Sequence, residues 1–118
     1  MSADQIAEIA PTIREILEAP GDGWCATFEI VGEDEAWAQV MKGSLNLAYP
    51  LKEPPPMDDV VASLPGATVS AWEAKKFVTY SFEGADAQAV AMTVDRLFAK
   101  FHECADYEVT CRVEDLEA

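Results

Sequence analysis

Apolar residues recur along this chain with two periods, and the switches between them define nine elements. Ile6, Ile9, Ile13, Ile16 and Leu17 fall at helical spacing, and Ser2 followed by Gln5 has the form of a capping box, so a helix is predicted over residues 3–18. Pro11 lies inside it. An interior proline costs about 3 kcal/mol, which predicts a kink or two pieces. Pro20, Gly21 and Gly23 stop the run. From Trp24 the period falls to two. Trp24, Ala26, Phe28 and Ile30 share one face and Cys25, Thr27 and Glu29 the other, as in a half-buried strand. A turn at Gly32–Asp34 leads to a strand at 36–41. Lys42 and Gly43 connect this to a third strand, where Leu45, Leu47, Tyr49 and Leu51 alternate with Ser44, Asn46 and Ala48. Such short links predict an antiparallel meander.

Pro54, Pro55 and Pro56 end that run as a stiff connector. Residues 57–64 carry Asp58 and Asp59 in a first turn and stop at Pro65 and Gly66, the punctuation of a short helix. Strands follow at 67–73 and 76–82. Asp86 then opens a long helix whose Val90, Val94, Leu97, Phe98 and Phe101 form one apolar stripe, with Lys100 and His102 complementing its carboxyl end. Tyr107, Val109, Cys111 and Val113 alternate as a last strand before an acidic tail at Glu114, Asp115 and Glu117. The expected fold class is α+β: one domain over residues 1–118, with an antiparallel sheet packed against an N-terminal helix and a long C-terminal amphipathic helix, in the order α-β-β-β-α-β-β-α-β.

Charge narrows the partners. The 118 residues are half apolar, a globular balance, and a chain of this length buries roughly 65% of its unfolded surface. The formal net charge is −14. Nucleic acid and anionic membranes attract Lys and Arg, so neither is an expected partner; a basic or apolar protein is. No stretch approaches the ~20 apolar residues of a membrane span. Met1–Ile9 lacks the basic and apolar regions of a secretory signal, so a cytoplasmic location is expected. Cys25, Cys104 and Cys111 are odd in number, without CxxC spacing. They are read as reduced thiols, with Cys25 and Cys111 packed as small hydrophobes. Of Trp24, Trp37 and Trp72, at least two are expected in the core, with self-association a further use for such aromatics.

Candidate chemistry changes this picture little. The single histidine, His102, ends an amphipathic helix and has no sequence-adjacent partner to orient it as a base. His102 and Cys104 would supply two ligands where a structural zinc site needs four. The acidic runs Glu33–Glu35 and Asp58–Asp59 do not match an EF-hand loop. The glycines stand singly at turns, with no GxGxxG, phosphate loop or GxSxG elbow. No enzyme activity, metal or cofactor is expected.

The order of elements, size and acidity resemble the type III secretion chaperones and the related YbjN-like bacterial family over residues 3–103. The closest local likeness is Trp37, Ala38, Gln39 and Val40 followed by Asn46, Leu47, Ala48, Tyr49 and Pro50. The strand at 107–113 and Pro11 depart from that plan. The resemblance implies a homodimer that holds an extended client polypeptide without ATP. Ala36, Ala38, Val40, Val69 and Ala71 are small or apolar positions expected on the face opposite the core, and these are the candidate protein-binding residues. Two other functions fit the composition: an acidic mimic of nucleic acid or regulator that occupies a basic protein groove, and a small enzyme or ligand carrier.

Overall fold

The computed structural model describes residues 3–33, 35–103 and 107–116. Its elements are α1 (Ala3–Glu18), β1 (Trp24–Ile30), β2 (Trp37–Met41), β3 (Ser44–Ala48), α2 (Asp58–Val61), β4 (Thr68–Glu73), β5 (Phe77–Ser81), α3 (Ala87–His102) and β6 (Val109–Asp115). Class and element order are those the sequence predicts. The strands form one six-stranded sheet in the order β4-β5-β3-β2-β1-β6, and every neighbouring pair is antiparallel. β1 to β3 form the expected meander. α2 carries the chain past β5 to the edge strand β4, and α3 brings it back across the sheet to lay β6 beside β1.

One face of the sheet carries the core. Phe28, Val40, Leu47, Val78 and Tyr80 are each at most 1% exposed and face Ile9, Ile13 and Ile16 of α1 and Val90, Val94, Leu97 and Phe98 of α3 in a single cluster. Asp86 caps α3 as expected, accepting from the Ala89 N–H at 2.8 Å. Of the kink or two pieces expected at Pro11, the two pieces are not found: α1 is one helix from Ala3 to Glu18. Both Pro11 and Ala7 are exposed, so the carbonyl that loses its donor is on the solvent side of the helix. Ser2, of the proposed capping box, lies outside the described residues. Gln5 turns inward, where its side-chain amide donates to the Tyr107 carbonyl at 3.3 Å.

The proline segment is fixed by the core tyrosines. Tyr80 donates its hydroxyl to the Pro56 carbonyl at 2.9 Å, and Tyr49 donates to the Glu53 carbonyl. Two deeply buried rings thus gain acceptors without charge, as buried phenols require, and burial raises the pKa of both. The second helix is shorter than the expected 57–64, with turns from Ala62 to Leu64. Glu114 and Asp115 are part of β6 rather than a tail, while Glu117 lies outside the described residues.

Tyr107 joins three elements at the start of β6. Its ring meets Phe98 edge to face at 5.4 Å, its hydroxyl donates to the Asp95 carboxylate at 2.8 Å, and its carbonyl accepts from Gln5. Asp95 is 7% exposed, so removing that donor strands a buried carboxylate. Tyr107→Phe is expected to cost about 2–3 kcal/mol, because bonds to charged groups exceed the ~1 kcal/mol of neutral ones. Tyr80→Phe, which loses a bond to a neutral carbonyl, is expected to cost about 1 kcal/mol. Urea denaturation of both variants measures the difference, and equal losses would show that Asp95 does not depend on Tyr107.

Candidate functional site

The strand registers place three rows of side chains on the face away from the helices. Thr110, Glu29, Trp37, Ala48, Phe77 and Glu73 make the first, and Arg112, Thr27, Gln39, Asn46, Thr79 and Ala71 the second. Glu114, Cys25, Met41, Ser44, Ser81 and Thr68 make the third. α1 and α3 pack on each other and α2 packs on α3, and the apolar sides of all three enter the core cluster. Among the described residues, no helix covers the opposite face.

The middle of this face is uncharged. Asn46 donates through Nδ2 to Gln39 Oε1 at 3.2 Å, and Thr79 Oγ1 donates to Asn46 Oδ1 at 2.9 Å, a polar ladder across three adjacent strands that fixes both amides. Trp37 and Phe77 on one side of the ladder and Met41 on the other are each half-buried. Charges stand at the ends of the rows: Glu73 on β4, Glu29 on β1, and Arg112 with Glu114 on β6. Arg112 is held by Glu114 at 2.9 Å and approaches Glu29 at 4.0 Å.

The candidate residues distribute differently from expectation. Ala36, Ala38 and Val40 are at most 1% exposed and lie in the core. The register explains it. Ala38 pairs with Phe28 and Leu47, and Val40 with Ala26 and Leu45, so Ala38 is the small residue between two large ones and Val40 faces the small Ala26, and Trp37 and Met41 take the outer face. Val69 and Ala71 would share a face in a regular strand, but a bulge between them shifts the alternation. Val69 pairs with Tyr80 and packs against the core, while Ala71 pairs with Thr79 and is exposed on the open face. Only Ala71 lies where expected. None of the three tryptophans is fully buried: Trp24 packs at the core's margin, Trp72 meets Tyr49 edge to face at 6.1 Å, and Trp37 stands on the open face.

At one end of the first row the face opens into a pocket of about 240 Å³ between Trp37, Ala48, Tyr49, Lys75, Glu35 and His102. A ligand pocket usually occupies 300–1,000 Å³, so this one suits a side chain or small anion better than a metabolite. The Ala48 carbonyl accepts a hydrogen bond from the His102 ring, yet burial outweighs it and lowers the imidazole pKa, with Glu33 and Glu35 opposing. Among the described residues, no serine, threonine or cysteine lines the pocket. Cys104, proposed as a partner for His102, lies outside the described residues. Cys25 is buried, as expected, but Cys111, on the edge strand, is exposed although its thiol meets Thr12 of α1. Burial raises both thiol pKa values, which keeps them protonated near neutrality and weak as nucleophiles or ligands. Among the described residues, no group of three His, Cys, Asp or Glu is placed to hold a metal ion, and no helix is long and apolar enough to cross a membrane.

The histidine gives a pH prediction. An imidazole whose folded pKa lies below the unfolded value of about 6.5 leaves the unfolded chain binding more protons beneath that value. Its stabilising contribution is present above about 6.5 and is lost as pH falls toward the folded pKa. The stability of the wild type relative to His102→Gln, which keeps a donor for Ala48, is therefore expected to fall between about pH 7.5 and pH 5.5. Urea midpoints of both proteins at the two pH values test this, and a constant difference would rule it out.

Comparison with known proteins adds no family: no family model, no curated protein and no solved structure matches the chain.

Proposed function

We propose that this chain is a non-catalytic binding module that lays an extended segment of a client polypeptide along the open face of its sheet. The observation that carries the reading is that face itself, uncovered by the described helices and furnished with Trp37, Phe77, Met41 and a fixed polar ladder rather than with the charged surface of a fully solvated sheet. Half-buried aromatics offer contact area at low entropic cost and are frequent anchors of interfaces. The pocket beside Trp37 would seat one client side chain. The acidic row ends and the net charge of −14 favour basic residues flanking the bound segment. The element order resembling the type III secretion chaperones agrees with a client held without ATP.

The rim pocket favours a second reading, a carrier of a small anion, because Lys75, Lys76 and His102 converge there in an otherwise acidic chain. Lys76 is already paired with Glu73 at 2.7 Å, and Glu35 sits among them, so the first reading has the stronger support.

An array of peptides with apolar centres and Lys or Arg flanks tests the proposal. Retained peptides should lose affinity roughly 30-fold, about 2 kcal/mol, with Trp37→Ala or Phe77→Ala, the size of an interface anchor. Thermal denaturation establishes that each variant is folded. Retention of no peptide, or retention indifferent to both substitutions, would refute the reading. Binding that depends on charge alone and vanishes at moderate salt would instead identify an acidic mimic.

A further inference from the structure

β6 is an edge strand of unusual regularity. It pairs with β1 over seven consecutive positions, Trp24 with Asp115 through Ile30 with Val109, without a bulge. The other edge, β4, is interrupted by its bulge at Ser70, one of the devices by which sheets discourage edge pairing. β6 has neither bulge nor proline, and its helix-side residues Cys111 and Val113 are exposed. A long, regular and partly apolar edge is a template for another strand.

The hydrogen bonds show which groups are offered. The Val31 N–H donates to the Glu108 carbonyl and the Leu116 N–H to the Gly23 carbonyl, both at 2.8 Å. In an antiparallel ladder this alternation turns the backbone groups of residues 108, 110, 112, 114 and 116 toward β1. Those of Val109, Cys111 and Val113 then point away from the sheet.

We infer that a second copy of this chain pairs with that edge, β6 against β6 across a twofold axis at Thr110. The register follows from charge. With the axis at Thr110, Val109 and Cys111 of each copy exchange backbone hydrogen bonds, and Arg112 of each copy faces Glu108 of the other. Moving the axis to Cys111 sets Glu108 against Glu114, and moving it to Arg112 sets arginine against arginine. Like charges directly opposite are destabilising, which leaves two self-complementary registers: the axis at Thr110, and an axis at Val113 that sets Arg112 against Glu114 but Cys111 against Asp115; we take the Thr110 register because its helix side is apolar. It also places Cys111 beside Val109 in an apolar seam under the helix side. The pairing joins the two open faces into one continuous sheet, and it stands whether or not a polypeptide binds there.

Sedimentation equilibrium of the full chain at micromolar concentration should give twice the 12.9 kDa chain mass. In hydrogen exchange the Val109 and Cys111 amides should be protected and lose protection on dilution. Thr110 would form a non-hydrogen-bonded pair with itself, with Cα atoms about 4.5 Å apart, within reach of a disulfide. Thr110→Cys in a Cys104→Ser, Cys111→Ser background should therefore cross-link on mild oxidation. Arg112→Glu should favour the monomer, and adding Glu108→Arg should restore the dimer. A chain that stays monomeric with unprotected amides would overturn the inference. So would a Cys104→Ser protein that cross-links through native Cys111 while the Thr110→Cys protein does not, which would show a different register.

Discussion

The amount of helix available to cover the sheet governs this structure. α1 and α3 are each 16 residues long, about 24 Å at 1.5 Å per residue, enough to run the length of these strands. Side by side at 8–10 Å spacing they shield about 20 Å of width. Six strands at about 4.8 Å span roughly 24 Å between the outer strand axes alone. α2 extends the cover toward β4 through Lys100 paired with Asp59 at 3.1 Å and Arg96 donating to the Asp59 carbonyl at 2.8 Å. Over β6 the cover is thinner: α1 reaches it through Thr12 at Cys111 and Gln5 at Tyr107, and Cys111 and Val113 stay exposed. One face and one edge are left over, and they are where the structure offers itself to other molecules.

Tight approach of α1 makes this economy work. Ala26, Ala38 and Ala36 are at most 1% exposed beside Ile9, Ile13 and Ile16. Small side chains on β1 and β2 leave room for α1, which packs on both strands, to approach the sheet with its isoleucines in the core. Close packing of this kind holds a core at near-crystalline density. The larger residues of β2, Trp37 and Met41, take the outer face instead, which gives that face its apolar content. Core packing and open-face composition are therefore two outcomes of one phase choice in β2.

That choice shows how far the sequence could be read. The nine elements and their order were legible because each is marked locally: by period, by Asp86 before α3, by glycine and proline after α1 and α2. The phase of β2 was not. Read alone, Ala36, Ala38 and Val40 look like the minor face beside Trp37, and only the partners Phe28 and Leu47, distant in sequence or across a turn, show that their small volume is needed inside. The bulge at Ser70 escaped for a similar reason, since Val69 and Ala71 alternate regularly in sequence and the shift exists only against β5. The pocket at His102 gathers residues from β2, β3, the β4–β5 turn and α3. The one legible signal was a lone histidine at a helix end, and sheet order, which no local pattern encodes, supplied the rest.

Charge limits what an exposed, partly apolar sheet face can meet. Two such faces could stack, and a regular edge could recruit strands indiscriminately. The carboxylates of Glu29, Glu73 and Glu114 border the open face, while its interior stays neutral. Face-to-face association of identical copies brings these acidic borders together and is opposed. An extended chain bearing basic residues meets them as partners. Along β6 the one cation, Arg112, sits two strand positions of the same face from Glu108, so an antiparallel copy centred on Thr110 matches charge with charge, while the registers centred on Cys111 and Arg112 set like charges opposite. The charge pattern that blocks non-specific contact thus leaves few edge pairings and one class of segment unopposed, and selectivity arises from what is repelled as much as from what is held.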